Sequence, residues 1–226
     1  NKCRALLPDA LLDINDRFIN FISKPLRESY CVYGDGCLYA GEYPGDKNGE
    51  KAEQKIRHML HFGVRHFVDL TEEGQLKPYS HLLPKEATYT RFPIKDCGAP
   101  DSVEDVHRLF VHIRELQKMG GYTYLHCWGG VGRTGTIIAC HIAQNIDNPQ
   151  LEDVLEALSR HFADMPKSAY RRTPETQDQI DFIARFIGTS DEYERGKSAR
   201  VADCIRGCLM AGAAGDALGY EVEFMS

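Results

Sequence analysis

The chain has 226 residues, 42% hydrophobic and 27% charged, with a formal net charge of −6. This length suits one sizeable domain, or one domain plus a fragment of another, and the composition is that of an ordinary soluble globular protein. The acidic excess argues against a nucleic-acid partner, no apolar run is long enough to span a membrane, and no n-region and h-region pair of a secretory leader is visible.

The chain opens on Asn1 rather than Met and is read as a segment of a longer protein. Its eight cysteines stand at 3, 31, 37, 97, 127, 140, 204 and 208. A domain this rich in core residues needs no disulfide staples, and no C-x-x-C pair has a second ligand pair at zinc spacing. His58, His61 and His66 read as helix-surface and strand-entry residues rather than ligands. Reduced thiols in a cytoplasmic compartment, with no metal and no cofactor, are the expectation.

In chain order, residues 30–40 (YCVYGDGCLYA) carry a Gly-Asp-Gly turn and predict a hairpin. Ala52, Ile56, Met59 and Leu60 make one apolar face of a helix from Gly49 to Phe62, ended by Gly63. VRHFVDL (64–70) and ATYTRFPI (87–94) read as buried strands separated by a polar loop. Ser102 with Asp105 forms a capping-box start for a helix whose face is Val103, Val106, Phe110 and Ile113, stopped at Gly120-Gly121. YTYLH (122–126) is the next strand, and a buried helix (TGTIIACHIAQNI) follows Arg133. Asn148-Pro149 is expected to cap and start another helix, and a last one runs from Pro174 to about Phe186. Strands alternating with helices give an α/β fold with a partly parallel sheet. Residues 188–199 are polar and read as a linker.

The chemistry concentrates at 126–135, HCWGGVGRTG. A nucleotide cradle would need a lysine after its glycines, and this stretch has none. It offers instead Cys127 and Arg133, separated by Trp128, Gly129, Gly130, Val131 and Gly132. A strand, a tight glycine-rich loop and a helix N-terminus together form an anion nest of backbone N–H groups. A cysteine at its base has its thiolate stabilised, and the arginine fork can grip two oxygens of a tetrahedral oxyanion. This is equipment for phosphoryl transfer through a cysteinyl-phosphate.

At every defining position HCWGGVGRTG resembles the signature of the cysteine-dependent protein tyrosine phosphatase superfamily. The surroundings resemble its compact dual-specificity branch, particularly the kinase-associated phosphatase type. PIKDCGAPD (93–101) matches the upstream Pro-Ile-x-Asp-x-Gly-x-Pro-Asp segment of that group, while LYAGEYPG (38–45) and TPETQDQ (173–179) resemble edges of bacterial members. The likeness covers roughly residues 30–187 and implies a compact dual-specificity phosphatase-like fold, a central mixed sheet flanked by helices. It implies Cys127 as nucleophile, Arg133 as phosphoryl ligand together with loop residues 128–132, and Thr134 as a hydroxyl that hydrogen-bonds the thiolate and helps it leave. It also implies His126 as electrostatic support behind the loop and Asp96 as the mobile-loop general acid. Asp101 competes for the acid's role, but it precedes a helix and can be read as its cap. Gln179 matches a glutamine near the pocket in related sequences. Cys97 is read as packing, with a redox lock onto Cys127 as the sharper alternative. Arg171 and Arg172 are read equally as guides for an acidic substrate or as solvated surface charges. Phosphoinositide phosphatases of this superfamily carry lysines inside the loop; residues 128–132 are uncharged, which implies a singly phosphorylated substrate.

The tail RVADCIRGCLMAGAAGDALGYEVEFMS (200–226) does not fit a phosphatase. Ile205-Arg206-Gly207, Gly212, Gly215-Asp216-Ala217-Leu218-Gly219 and Glu223 resemble the opening of an ADP-ribosylglycohydrolase. The expected organisation is therefore a phosphatase domain over 1–187, a linker over 188–199 and a truncated second domain over 200–226. Its partner is a phosphorylated protein or a small phosphomonoester, not a nucleic acid or a membrane. Hydrolysis of phosphotyrosine, and of phosphoserine or phosphothreonine, is the leading expectation. The alternatives are a metabolite or ADP-ribose-type phosphatase and a non-catalytic phosphate-binding module.

Overall fold

A computed structural model of the protein describes residues 24–32 and 37–188. The Gly-Asp-Gly turn, the tail and, apart from Gly188, the expected linker lie outside the described residues. Strands β1 (Ser29–Cys31), β2 (Leu38–Gly41), β3 (Val64–Asp69), β4 (Thr88–Arg91) and β5 (Tyr122–His126) form one sheet of order β1-β2-β5-β3-β4. β1 pairs antiparallel with β2, as the hairpin reading requires, and the other pairs are parallel. The mixed α/β sheet is the one expected.

Helices α1 (Gly49–Phe62), α2 (Val103–Lys118), α3 (Gly132–Gln144) and α4 (Leu151–Phe162), with α5 (177–188), cover it. Successive strand residues face opposite sides, and the core divides accordingly. Phe67 and Tyr124 pack with Ile56 and Met59 of α1, while Val68 and Leu125 pack with the apolar faces of α2, α3, α4 and α5. Asn48 caps α1 by accepting from the Glu50 and Lys51 N–H groups, and Gly63 ends it in the left-handed region at φ 112°. The Ser102 hydroxyl accepts from the Asp105 N–H at 3.1 Å, so Ser102 and not Asp101 caps α2.

Among the element boundaries that differ from expectation, three have a clear local reason. β4 stops at Arg91 because Pro93 has no N–H for the ladder; the flanking Phe92 and Ile94 N–H groups still bond the Asp69 and Leu70 carbonyls at 2.8 and 3.1 Å. Asn148 does not cap α4: it stands at φ 50°, in the left-handed region that asparagine tolerates better than most residues, and α4 starts on Leu151 with Gln150 before it. α5 starts at 177 rather than Pro174 because a Thr176/Gln179 capping box defines its end. There Thr176 Oγ1 accepts from the Gln179 N–H at 3.3 Å, and Gln179 Oε1 accepts from the Thr176 N–H at 3.3 Å.

The parallel strands β2, β5, β3 and β4 all end at one edge of the sheet. In open α/β sheets ligand sites gather outside such carboxyl ends.

Candidate active site

β5 ends at His126 and α3 begins at Gly132, so residues 127–131 cross from strand to helix in five residues. The loop spends its carbonyls on the surrounding protein. Trp128 O accepts from the Tyr43 N–H at 2.9 Å, Gly129 O from Lys167 Nζ at 3.2 Å and Val131 O from Thr173 Oγ1 at 2.8 Å. With the carbonyl edge bonded away, the N–H edge is left for the interior of the turn. Gly130 N–H donates to Cys127 Sγ at 3.3 Å, and no side chain caps α3, whose first intrahelical bond runs from Gly135 N–H to Val131 O. Uncapped N–H groups at a helix start suit an anion. Gly130 is needed twice over: its φ is 73°, and a Cβ there would lie 2.3 Å from the Gly41 carbonyl carbon.

Behind the loop, His126 is fully buried. Its Nδ1 lies 3.1 Å from the Cys127 carbonyl and its Nε2 2.6 Å from the Tyr79 hydroxyl. A carbonyl can only accept, so Nδ1 carries the proton and Nε2 accepts from Tyr79. That neutral tautomer agrees with burial, which lowers the His126 pKa against the pull of Asp69 and raises the Tyr79 phenol well above its ordinary range. Asp69 Oδ1 lies 3.9 Å from His126 Nδ1, beyond hydrogen-bond reach. The carboxylate is instead satisfied by Thr71 (N–H at 2.8 Å, hydroxyl at 2.7 Å) and by the Tyr89 hydroxyl at 2.7 Å.

In front of the loop is a cavity of about 380 Å³, lined by Cys127, Trp128, Gly129, Val131, Arg133 and Asp96, with Glu42, Cys97, Lys167, Tyr170, Arg171 and Glu175 around them. Cys127 and Arg133 are each 3% exposed, whereas Trp128 and Tyr170 are 61% and 73% exposed. Arg133 Nη2 pairs with Asp96 Oδ1 at 2.8 Å, and Nη1 donates to Gln75 Oε1 at 2.8 Å and Ile94 O at 3.1 Å. Asp96 thus borders the cavity and touches the arginine; Asp101 is exposed and is not among the lining residues.

The geometry adds detail to several of these expectations. The buried Thr134 hydroxyl has no hydrogen-bond partner, so its bond to the Cys127 sulfur is not formed in this structure. Gly130 and Gly132 shape the loop without lining the cavity. Gln179 does not line it either. It is fully buried, and besides its part in the α5 capping box its Nε2 donates to Gly98 O at 3.0 Å, tying α5 to the loop that carries Asp96. Cys97 is exposed at φ 59° and borders the cavity rather than packing in the core. Arg171 pairs with Glu175, and Arg172 does not line the cavity. Cys37, Cys97, Cys127 and Cys140 are free thiols. Sequence reasoning missed Glu72, Gln75, Tyr79, Lys167 and Tyr170. For the first two a usable signal existed, since DLTEEGQ (69–75) leaves the carboxyl end of a strand beside β5.

Among the described residues no helix is long and apolar enough to cross a membrane, and no group of three His, Cys, Asp or Glu side chains could hold a metal ion.

Putative tyrosine phosphatase 067L of Invertebrate iridescent virus 3 is 30% identical over 150 residues, covering 62% of this chain and 61% of that protein. Putative tyrosine phosphatase 197R of Invertebrate iridescent virus 6 is 24% identical over 152 residues, covering 63% of this chain and 50% of that protein. The chain therefore spans only about half to three fifths of these curated relatives. The crystal structure of Tk-PTP in its active form superposes with a TM-score of 0.57 at 21% identity, over 71% of this chain and 97% of that one. A kinase associated phosphatase gives 0.56 at 20% identity, over 70% and 92%. PTPMT1 in complex with PI(5)P gives 0.54 at 16% identity, over 74% and 98%. These structures share the fold. The family model of the Swiss Army Knife protein DSP-PTPase phosphatase domain matches residues 47–183, more than half of the sequence, and to that family the chain belongs.

Proposed function

We propose that the protein is a cysteine-dependent phosphomonoesterase acting on phosphotyrosine, and also on phosphoserine or phosphothreonine, in proteins. The observation that carries this reading is that Cys127, Arg133 and Asp96 border one cavity, with Asp96 2.8 Å from Arg133. The names of the viral relatives and of the kinase associated phosphatase support it.

In the first step the Cys127 thiolate attacks phosphorus and the P–O ester bond breaks. Arg133 and the loop N–H groups hold the equatorial oxygens, and the leaving oxygen takes its proton from the Asp96 carboxyl. In the second step the Asp96 carboxylate takes a proton from water, whose oxygen attacks phosphorus as the S–P bond breaks. Inorganic phosphate leaves and the thiolate is restored. The unpartnered Thr134 hydroxyl is available to donate to that departing sulfur.

Two features support a singly phosphorylated, ring-bearing substrate. Trp128 and Tyr170 expose large aromatic surfaces at the cavity. The flanking cations are already partnered, Lys167 by Glu42 at 2.9 Å and Arg171 by Glu175, so a second phosphate would compete with carboxylates. Turnover of a phosphotyrosine peptide should exceed that of phosphoserine peptides, of an ADP-ribose-type phosphate and of a phosphoinositide at equal concentration. Preferential turnover of the ADP-ribose-type phosphate or the phosphoinositide would replace the protein-substrate reading. Binding of vanadate with no turnover of any of them would favour the non-catalytic module.

A further inference from the structure

β3 lies between β5 and β4 in the sheet, so the segment leaving it, 70–75, is flanked by the cysteine loop on one side and the acid loop on the other. Its backbone is tied to both: Leu70 N–H donates to His126 O at 2.8 Å, and Leu70 O accepts from the Ile94 N–H at 3.1 Å. Two of its side chains reach the machinery itself. Gln75 Oε1 accepts from Arg133 Nη1 at 2.8 Å. Glu72 Oε2 accepts from the Asp96 backbone N–H at 3.2 Å. Glu72 and Gln75 also bond each other, through Gln75 N–H to Glu72 O at 3.2 Å and Glu72 N–H to Gln75 Oε1 at 3.3 Å. One short turn therefore grips the phosphoryl-binding arginine and the backbone of the acid.

We infer that Glu72 and Gln75 are positioning residues for phosphoryl transfer, Gln75 orienting the Arg133 fork and Glu72 holding the Asp96 loop over the cavity. The inference rests on the reading of Asp96 as general acid and goes beyond it, because neither residue lines the cavity. The chemistry of each partner matches its task. An amide oxygen fixes a guanidinium without neutralising it, leaving its charge for the phosphoryl dianion. A carboxylate is a strong acceptor for a single backbone N–H on an exposed loop, where few other contacts fix the chain. When a phosphoryl group takes Arg133, the Asp96 carboxylate must leave it. The Glu72 bond is to the Asp96 main chain, so it can persist while the side chain swings to the leaving oxygen.

The two residues should fail differently, and that difference is the test. Glu72→Ala, Glu72→Gln, Gln75→Ala and Asp96→Asn would be assayed on p-nitrophenyl phosphate and on phenyl phosphate, whose leaving oxygen needs the acid more, with the inhibition constant of vanadate measured alongside. Glu72→Ala should lower kcat on phenyl phosphate about tenfold, the loss of one charge-assisted hydrogen bond, and on p-nitrophenyl phosphate less than about threefold. Glu72→Gln keeps an acceptor oxygen and should recover most of the loss. Gln75→Ala should raise KM and the vanadate constant together by about tenfold on both substrates, since Arg133 acts whatever the leaving group. Equal losses on the two esters for Glu72→Ala, no rescue by Glu72→Gln, or a Gln75→Ala effect confined to kcat would overturn the inference. If Asp96→Asn shows the leaving-group pattern and Glu72→Ala does not, the inference alone fails. If Asp96→Asn lacks it, the reading of the acid fails with it.

Discussion

Residues 127–131 and residues 95–98 border the same cavity, but the first are held between β5 and α3 while the second stand mostly at the surface. In the cysteine loop the carbonyls of residues 127, 128, 129 and 131 are all bonded, the last three by Tyr43, Lys167 and Thr173 from distant parts of the chain, and Gly130 lies too close to Gly41 to admit a side chain. In the 95–98 loop the contacts beyond its own turn are polar, and two of the four are exposed to solvent: Glu72 on the Asp96 N–H and Thr176 Oγ1 on Cys97 O at 3.2 Å are the exposed ones, with Gln179 on Gly98 O and the Asp96–Arg133 pair beside them. A nest for a transferring phosphoryl group must be preorganised, because its stabilisation depends on dipoles that do not have to turn. An acid that first gives and then takes a proton must be able to move.

This contrast is tested hardest at Cys127, the proposed nucleophile. Cys127→Ser alters one atom of a rigid loop and should abolish turnover while leaving vanadate binding intact, since the N–H groups and Arg133 are untouched. The serine hydroxyl is not ionised near neutral pH and cannot supply the nucleophile that a thiolate would. Hydrolysis of p-nitrophenyl phosphate persisting in this variant, with no metal added, would remove the covalent mechanism.

At Asp96, the proposed acid, the effect should be smaller and should depend on the substrate. Asp96→Asn is expected to lower kcat on a poor leaving group by about two to four orders of magnitude, the usual scale of general acid–base catalysis, and by less on an activated aryl phosphate. Asp101→Asn should do little, because Asp101 neither lines the cavity nor caps α2. The reverse outcome would transfer the role to Asp101.

The support beneath the cysteine loop is testable through pH. Burial lowers the folded-state pKa of His126 below its ordinary value of 6.5, so as pH falls the unfolded chain takes up the proton first. Its contribution to stability is thus complete above about pH 6.5 and declines below it, by at most about 1.4 kcal/mol per pH unit for one proton. His161, depressed by burial in the same direction, adds to the wild-type slope. Urea unfolding between about pH 7 and pH 5 should therefore show a shallower decline for His126→Asn than for wild type, with part of the slope remaining. Equal slopes would mean that His126 takes up its proton in the folded protein as readily as in the unfolded chain.

Sequence and structure agree where a feature is local. α1, β5 and the α2 cap were legible because their signals, Gly63, the YTYLH run and Ser102 with Asp105, lie within a few residues of what they decide. The cysteine loop was legible for the same reason, since strand, glycines, Cys127 and Arg133 are contiguous. What escaped depends on strand order. That Gln75 meets Arg133, 58 positions away, follows from β3 lying beside β5, which periodicity does not specify. Gln179 was singled out by resemblance, yet its contacts are those of a capping box that also reaches the acid loop, a role visible only once α5 and Gly98 are brought together.

The smallest effect should come from the far end of the chain. The last cavity-lining residue among those described is Glu175, and α5 completes the core beyond it through Phe182, Ile183 and Phe186, each at most 1% exposed. The residues that follow carry the glycine-rich pattern resembling a glycohydrolase opening, and Asp216 with Glu223 cannot supply the roughly six oxygens that each magnesium ion of such a site would need. Removing residues 190–226 leaves every residue of the two contrasted loops, and every contact named for them, in place. The expected result is a kcat/KM on an aryl phosphate within about threefold of the full chain, under ~0.7 kcal/mol of transition-state stabilisation. A larger fall, with unfolding stability unchanged, would mean that the tail contributes to the cavity and that the phosphatase domain extends past residue 187.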